Sequence, residues 1–283
     1  MFDFRYHAAS LAAVFLALAV GLLLGIAVGD RELVSSAREE LEQSLEGDVR
    51  EQRAQSARLR DELRRQDRFA GAVIPLLVRD ELDGRRIGLV FLGEAQERVA
   101  DLVRDGLEDT GAELAFAGAL RLPPDRAQIA ALARGTRYAA LATEDDLLEP
   151  FAFRMGVQLG LGGRLVERVR PALLQSFSGS LRRIDGLVVV RGEPEEGDDA
   201  SAAARAIAEG AAASGVPAVG VELAGTQPSN VDWYRDRGLS SVDSLDQVAG
   251  RAALVFALQG AEGAFGFKPS AQALLPPLAS RDP

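Results

Sequence analysis

The longest uninterrupted apolar pattern lies near the start of the chain. Residues 8–28 carry no charge, and Ser10 is their only hydroxyl. A helix of that length spans roughly 30 Å, about the thickness of the hydrocarbon core of a bilayer. A buried core helix is the alternative, although cores rarely need so long an uncharged run. The pattern therefore predicts a transmembrane helix, and we place a membrane anchor at residues 1–30.

The flanks of this segment bear on its processing and orientation. The tripeptide AVG before Asp30 loosely fits a signal cleavage site, but the apolar run is longer than the core of a typical signal peptide. We therefore expect an uncleaved, single-pass anchor in the cytoplasmic membrane. The short flank with Arg5 is expected inside, which places the bulk of the chain outside the cytoplasm.

Small side chains recur at every fourth position of the apolar segment. On a helix, such spacing forms one strip along which a second helix can approach closely. The pattern predicts a helix-pairing face for a second copy or another membrane protein, with lipid-facing alanine as the alternative. The residues of this face are Ala9, Ala13, Ala17, Gly21, Gly25 and Gly29.

Residues 31–75 are strongly charged and rich in Glu, Arg and Gln, which are good helix formers. Apolar or small residues follow one approximate stripe, at a spacing nearer to an 11-residue repeat than to a strict heptad. The stripe consists of Leu41, Leu45, Val49, Ser56, Leu59, Leu63 and Ala70. We predict a short coiled-coil stalk that ends near Gly71 and Pro75, with a single solvated helix as the alternative.

Strand and helix patterns alternate from Gly84 onward, which predicts a three-layer α/β domain over residues 84–283 with a mainly parallel sheet. The expected strands lie in RRIGLVFLG, ELAFAGAL, YAALAT, IDGLVVVRG and VPAVGVEL. Helices are expected after the first strand, from Asp125, through residues 147–177, in the Ala-rich segment 200–215 and in SVDSLDQVAGRAALVFALQG, with Asp243 or Ser244 as N-cap.

Composition narrows the chemistry that this chain can perform. The net charge of −10 argues against nucleic-acid binding, which needs concentrated Lys and Arg. The chain has no cysteine, one histidine (His7) and two methionines (Met1 and Met155). The usual catalytic triads and soft metal sites are therefore out of reach, and we expect a non-enzymatic protein without a cofactor.

Two loops remain as candidate sites. The segment Glu193 to Asp199 is acidic and is suited to a hard cation, although a solvated loop is the favoured interpretation. Trp233 and Tyr234 lie beside a charged turn and, with Asp243, form a possible interaction surface. The equally favoured alternative is that these aromatic residues cap the end of the sheet. A small-molecule sensor domain, with its ligand at the carboxyl ends of the strands, also stays open.

Two segments carry a resemblance to a known family. YHAASLAAVFLALAVGLLLGIAVGD and GLSSVDSLDQVAGRAALVFALQGAEGAFGFKP, joined by the charged helical region, resemble the actinobacterial family named for mycobacterial copper transport protein B. The resemblance implies a role in copper homeostasis or copper efflux, and the family has been described as a channel-forming outer-membrane protein. The hydropathy pattern here instead predicts one helical span, and no copper-binding residue transfers.

The same resemblance implies a second class of function. Corynebacterial relatives resemble septation factors, which are membrane-anchored proteins that act with a membrane partner on cell-wall hydrolysis. An anchor that pairs with a partner, a spacer and a non-catalytic head would suit a cell-envelope scaffold that recruits a hydrolase. The expected partners are the lipid bilayer and either a second copy or another membrane protein.

Overall fold

The computed structural model describes residues 4–192 and 197–277, apart from the side chains of residues 4–5 and 27–43. The chain divides into two compact units, Met1–Gln66 and Asp67–Pro283. The first unit is helical, and the second contains the last turns of the same helix together with all the strands.

The first helix, α1 (Phe4–Val78), contains the apolar segment predicted from the sequence. Its span Tyr6–Ile26 has a mean hydropathy of 2.5, and none of it is buried within the chain. Among the described residues, this is the one helix that is long and apolar enough to cross a membrane. It fits a single-pass membrane anchor.

The expected end of the stalk near Gly71 and Pro75 is wrong, because α1 continues through both residues to Val78. A proline inside a helix removes one backbone hydrogen bond and crowds the preceding turn. Tertiary packing holds the last turns in place here, since Ile74 packs against a hydrophobic cluster of the second unit and Val78 belongs to it.

The second unit is built on one seven-stranded sheet with the strand order β3-β2-β1-β4-β5-β6-β7. All neighbouring pairs are parallel except β2 and β3. The strands are β1 (Arg86–Leu92), β2 (Glu113–Leu120), β3 (Leu174–Gly179), β4 (Gly186–Arg191), β5 (Ala218–Val221), β6 (Ser240–Val242) and β7 (Ala264–Phe265).

Seven further α-helices connect or flank these strands in the described part of the chain. They are α2 (Glu97–Leu107), α3 (Arg126–Leu132), α4 (Leu148–Leu161), α5 (Arg164–Leu173), α6 (Asp198–Ala212), α7 (Val231–Arg235) and α8 (Val248–Leu258). The short α3 begins as predicted, because the side chain of Asp125 accepts a hydrogen bond of 2.9 Å from the Gln128 amide.

Both faces of the sheet are buried, which explains why its central strands are continuously apolar. In β1, Val90 and Leu92 join a cluster formed with α3, α4, α5 and α6. Leu89 and Phe91 point to the opposite cluster, formed with α2, α8 and the end of α1. Because successive side chains of a strand point to opposite faces, one apolar run contributes side chains to both clusters. Helices cover both faces of the sheet, which gives the three-layer α/β fold.

The helices α4 and α6 approach each other unusually closely, at glycines. A Cβ atom added to Gly156 would lie 2.1 Å from the carbonyl oxygen of Ile207, and one added to Gly210 would lie 2.1 Å from that of Phe153. Neither helix can carry a side chain at these points without moving apart. The two glycines therefore set how tightly this helix pair covers the sheet.

Two predicted elements of the α/β domain are wrong. The segment YAALAT starts in a 3₁₀ helix, Arg137–Ala140, and continues as a turn. The N-cap Thr136 of this helix accepts a hydrogen bond from the Tyr138 amide. The ring of Tyr138 packs edge-on against Phe151 at 5.3 Å, which draws the segment into the helical layer. The helical region expected up to residue 177 ends earlier, because β3 pairs antiparallel with β2 at the edge of the sheet.

The prediction that Asp243 or Ser244 caps the last helix is also wrong. Helix α8 begins at Val248 with Gln247 at the N-cap position. The residues before Asp243 form β6, which pairs with β5 and β7. Asp243 itself is fully buried and turns its carboxylate toward a different segment of the chain.

Candidate functional site

The strand order places a crevice at the carboxyl ends of β1 and β4. The chain proceeds from β1 outward to β2 and β3, and from β4 outward in the opposite direction. In open α/β sheets, ligands bind at such a switch point, outside the carboxyl ends of the strands. Two clefts open here, of about 400 Å³ and about 700 Å³, and Arg191 and Gly192 line both.

Arg191, the last residue of β4, is held in the crevice through both its backbone and its side chain. Its amide donates a hydrogen bond of 2.8 Å to the Tyr234 hydroxyl, and its Nη1 donates one of 2.9 Å to Asn230 Oδ1. Burial lowers the pKa of Arg191, the neighbouring charge of Arg237 lowers it further, and Tyr234 acts in the opposite direction. The guanidinium is thus a positioned, partly desolvated cation.

A second guanidinium shares the same aromatic ring. The Cζ atom of Arg191 lies 4.6 Å from the centroid of the Trp233 ring, and that of Arg237 lies 4.1 Å from it. Arg237 Nη1 donates a hydrogen bond of 2.7 Å to the Trp233 carbonyl, while its buried Nε has no hydrogen-bond partner among the described residues. Burial lowers the pKa of Arg237 as well. Two cations are therefore gathered at the wall of the smaller cleft.

The buried side chain of Tyr234 links the ends of β4 and β5 through hydrogen bonds. Its hydroxyl accepts from the Arg191 amide and donates a bond of 3.1 Å to the Val221 carbonyl. Its ring lies over Gly220, where an added Cβ would meet it at 2.3 Å. Burial raises the pKa of Tyr234 above its usual value. The phenol therefore stays protonated and works as a structural hydrogen-bonding group.

An ion pair between Glu222 and Lys268 connects the loops that follow β5 and β7. Lys268 Nζ donates bonds of 2.6 Å to Glu222 Oε1 and 2.8 Å to the Thr226 carbonyl. Glu222 Oε2 accepts a bond of 2.6 Å from the Asn230 amide. Since the Asn230 side chain holds Arg191, the only lysine of the chain helps to position the arginine of the crevice through Glu222 and Asn230.

Asp243 secures the segment that carries Lys268. Its two carboxylate oxygens accept bonds of 2.7 Å from the Phe267 amide and 2.9 Å from the Lys268 amide. A Cβ atom at Gly266 would lie 2.0 Å from Asp243 Oδ1, so only glycine leaves room for this approach. The segments SSVD and GFKP, which both lie in the second stretch that resembles the family, thus meet at the carboxyl edge of the sheet.

The three residues of the predicted interaction surface differ in their exposure to solvent. Tyr234 and Asp243 are fully buried, so neither presents its side chain to a partner. Trp233 is half-buried and lines the smaller cleft. The alternative interpretation, in which the aromatic residues cap the end of the sheet, describes Tyr234 correctly.

The predicted helix-pairing face lies on α1. The side chains of Ala9, Ala13 and Ala17 are exposed, as are the backbone positions of Gly21 and Gly25. Gly29 lies within the helix, but its surroundings fall outside the described residues. The same is true of Leu41 in the predicted stalk stripe, whereas its Leu45, Val49, Leu59 and Leu63 are exposed apolar side chains. Pairing through this helix stays a prediction.

The acidic loop proposed as a cation site falls partly outside the described residues, which omit 193–196. Of the described part, Asp199 lies 3.4 Å from Arg126, and Asp198 lines the smaller cleft. No group of three or more His, Asp or Glu side chains in the described ranges is placed to hold a metal ion. His7 lies on α1, and Met155 is fully buried in the core.

Four residues of the crevice and its supports were not predicted from the sequence, namely Arg191, Glu222, Arg237 and Lys268. Two signals could have found them. Arg191 ends the clearest buried strand, where the carboxyl end of a parallel strand approaches a ligand site, and Lys268 is unique in a chain that otherwise uses arginine.

Comparison with known proteins supports one family. The family model described as copper transport outer membrane protein, MctB, matches residues 1–139 and 165–276, which together make up most of the chain. The match includes the apolar helix, β1, β4 and the segments of Glu222, Asp243 and Lys268. No curated protein matches this sequence.

Proposed function

This chain belongs to the family described as copper transport outer membrane protein MctB, and on that premise we propose that it acts in copper homeostasis as a membrane-anchored, non-enzymatic protein. The main support for this proposal is the family match over most of the chain. The helix Tyr6–Ile26 supports a single-pass anchor. The proposed orientation has the N-terminus inside and the α/β domain outside the cytoplasmic membrane.

In this proposal, copper ligands come from a partner rather than from this chain. The sequence has no cysteine and one histidine, and its only methionine beyond Met1 is Met155. Cu(I) prefers thiolate and thioether ligands, whereas the abundant carboxylates are hard ligands that suit it poorly. The role of the chain would then be to recruit or regulate a copper-handling membrane protein.

The decisive experiment is the cell-associated copper content of a deletion strain of the source bacterium, grown with and without added copper. The proposal predicts elevated copper that returns to normal when the wild-type gene is restored. A His7→Ala/Met155→Leu variant should restore it equally well, because the proposed role needs no ligand from this chain. Normal copper content in the deletion strain would overturn the proposal.

Orientation can be tested independently because the chain has no cysteine. A single Ser56→Cys variant places a thiol at an exposed position of α1. Labelling of intact cells by a membrane-impermeant maleimide is expected if this part of the chain is outside. Labelling only after lysis would place it in the cytoplasm.

A cell-envelope scaffold is the second candidate, and the exposed apolar side chains along α1 favour it. Leu45, Val49, Leu59 and Leu63 are 44–59% exposed in a single chain, which suits a surface that pairs with another helix. We propose that such a scaffold would bind a membrane partner through α1 and recruit a cell-wall hydrolase. Normal copper together with chained or misshapen cells in the same deletion strain would favour this function.

A further inference from the structure

The smaller cleft at the switch point is lined by positively charged side chains together with apolar ones. Three guanidinium groups line it, those of Arg191, Arg205 and Arg237. Arg205 is engaged by Glu149 in an ion pair. Arg191 and Arg237 instead use one nitrogen each on a neutral oxygen, Asn230 Oδ1 and the Trp233 carbonyl.

The charge of Arg237 acts unfavourably on Arg191, and the charges of Glu209 and Asp236 only partly offset the charge and burial of Arg237. Both guanidiniums face the ring of one tryptophan, and each is partly desolvated. The buried Nε of Arg237 has no hydrogen-bond partner among the described residues, and an unsatisfied buried donor lowers the stability of the folded state. Asp198 lines the same cleft, but no ion pair joins it to either arginine within the described structure. An anion placed between the two guanidiniums would relieve this repulsion.

The cleft is also lined by the apolar side chains of Leu92, Leu122, Ala200 and Ala204, and by the carboxylates of Glu149, which pairs with Arg205, and Asp198. The cleft volume of about 400 Å³ is within the range of small-molecule sites. A ligand that fits would therefore present oxygens to the arginines and a hydrocarbon portion to the apolar side chains of the lining. Guanidinium groups bind carboxylate and phosphate with two parallel hydrogen bonds, which favours an oxyanion over a halide.

We propose that this cleft binds a small organic oxyanion, a phosphate or carboxylate group attached to an apolar portion, on Arg191 and Arg237. The site lies where parallel α/β sheets bind their ligands, and Lys268, Glu222 and Asn230 position Arg191 within it. The inference goes beyond the proposed role in copper homeostasis, because the binding requires neither copper nor a second protein.

Trp233 makes the proposal directly measurable. It is the only tryptophan of the chain, so its fluorescence reports on this cleft alone. The full-length chain in a non-ionic detergent is titrated with phenyl phosphate and with benzoate at constant ionic strength, and benzyl alcohol serves as the uncharged control. Calorimetric titration of the same samples gives the affinity without depending on the fluorophore. We expect saturable binding of at least one of the two anions and none of benzyl alcohol.

Variants separate binding in the cleft from general charge effects. Arg191→Gln and Arg237→Gln are each expected to weaken binding by about tenfold or more, which is the loss of a charge-assisted hydrogen bond. Arg237→Lys, which keeps the charge but removes the planar fork, is expected to weaken it as well. Arg235→Gln is the matched control, because Arg235 lies on α7 with Trp233, only two residues before Arg237, but is exposed and pairs with Asp232. Circular dichroism verifies that each variant is folded.

The titrations identify the preferred anion and also test the proposal itself. The relative affinities for phenyl phosphate and benzoate identify whether phosphate or carboxylate is the preferred group. The proposal is overturned if neither anion binds saturably, if benzyl alcohol binds equally well, or if Arg235→Gln weakens binding as much as Arg237→Gln does.

Discussion

The ammonium of Lys268 lies 2.6 Å from Glu222 Oε1, and the two side chains are only 11% and 2% exposed. This ion pair joins the loop after β5 to the segment after β7, far apart in the sequence. Through Asn230 it also reaches Arg191 in the crevice. The pair Glu222 and Lys268 thus holds the carboxyl edge of the sheet together.

Removing one partner of this pair should be strongly destabilising. In Glu222→Ala, the buried ammonium loses its counter-charge and keeps only the Thr226 carbonyl, and the Asn230 amide loses its acceptor. We expect the free energy of unfolding to fall by about 3–5 kcal/mol. Guanidinium titration followed by Trp233 fluorescence measures the change. Asp232→Ala is the control, because it breaks an ion pair whose side chains are 53% and 65% exposed. That pair should contribute less than about 1 kcal/mol. Equal losses in the two variants would contradict a structural role for Glu222.

The buried phenol of Tyr234 predicts a specific pH dependence. Burial raises its pKa in the folded state above the 10.0 of an exposed tyrosine, so the protonated form is favoured by folding. Its stabilising contribution is therefore complete below about pH 10 and declines as the pH rises further, because the unfolded chain ionises first.

Tyr234→Phe is expected to lower the free energy of unfolding by about 1–3 kcal/mol at pH 8, through loss of the bonds to Val221 and Arg191. The difference from wild type should shrink between pH 8 and pH 11, because only the wild type has the phenol to ionise. Unfolding titrations by circular dichroism at several pH values test this. A difference that stays constant across this range would show that Tyr234 ionisation is not linked to folding.

The glycine contact between α4 and α6 predicts a large cost for a single methyl group. In Gly156→Ala the new Cβ would collide with the backbone carbonyl of Ile207, so the helices must separate. We expect a loss of about 1–3 kcal/mol, as in other overpacked cores. In the control Gly47→Ala, the added Cβ on α1 meets no atom within 4 Å. The chemical denaturation midpoint of the α/β domain should fall only for Gly156→Ala.

The small-residue face of α1 predicts that bulk, rather than hydrophobicity, decides helix pairing. Gly25→Ile would hold a second helix away, and self-association in a membrane-based reporter assay should fall severalfold. Leu23→Ile, at an exposed position on a different side of the helix, should leave it unchanged. An unchanged signal for Gly25→Ile would indicate that the helix does not pair with a second copy through this face.

The strands β1 and β4 were predictable because their apolar sequence pattern agrees with their buried position in the fold. The runs in β1 and β4 are apolar on both faces, and no other layer of the fold accommodates such a strand. YAALAT has the same apolar character but little β-branched bulk, and the packing of Tyr138 against Phe151 places it in the helical layer. The edge strand β3 was missed because an exposed strand has too few buried positions to leave a pattern.

The sequence by itself determined the apolar helix at the N-terminus, the α/β class of the second unit and the family. Each depends on periodicity or on long motifs, which survive without knowledge of contacts. Tertiary structure alone decided the crevice. Arg191 and Arg237 are separated by 45 intervening residues, and only the fold brings the end of β4 and the turn after α7 to one tryptophan. Side-chain position at the carboxyl edge depends on strand order, and strand order is set by long-range packing that no local pattern encodes.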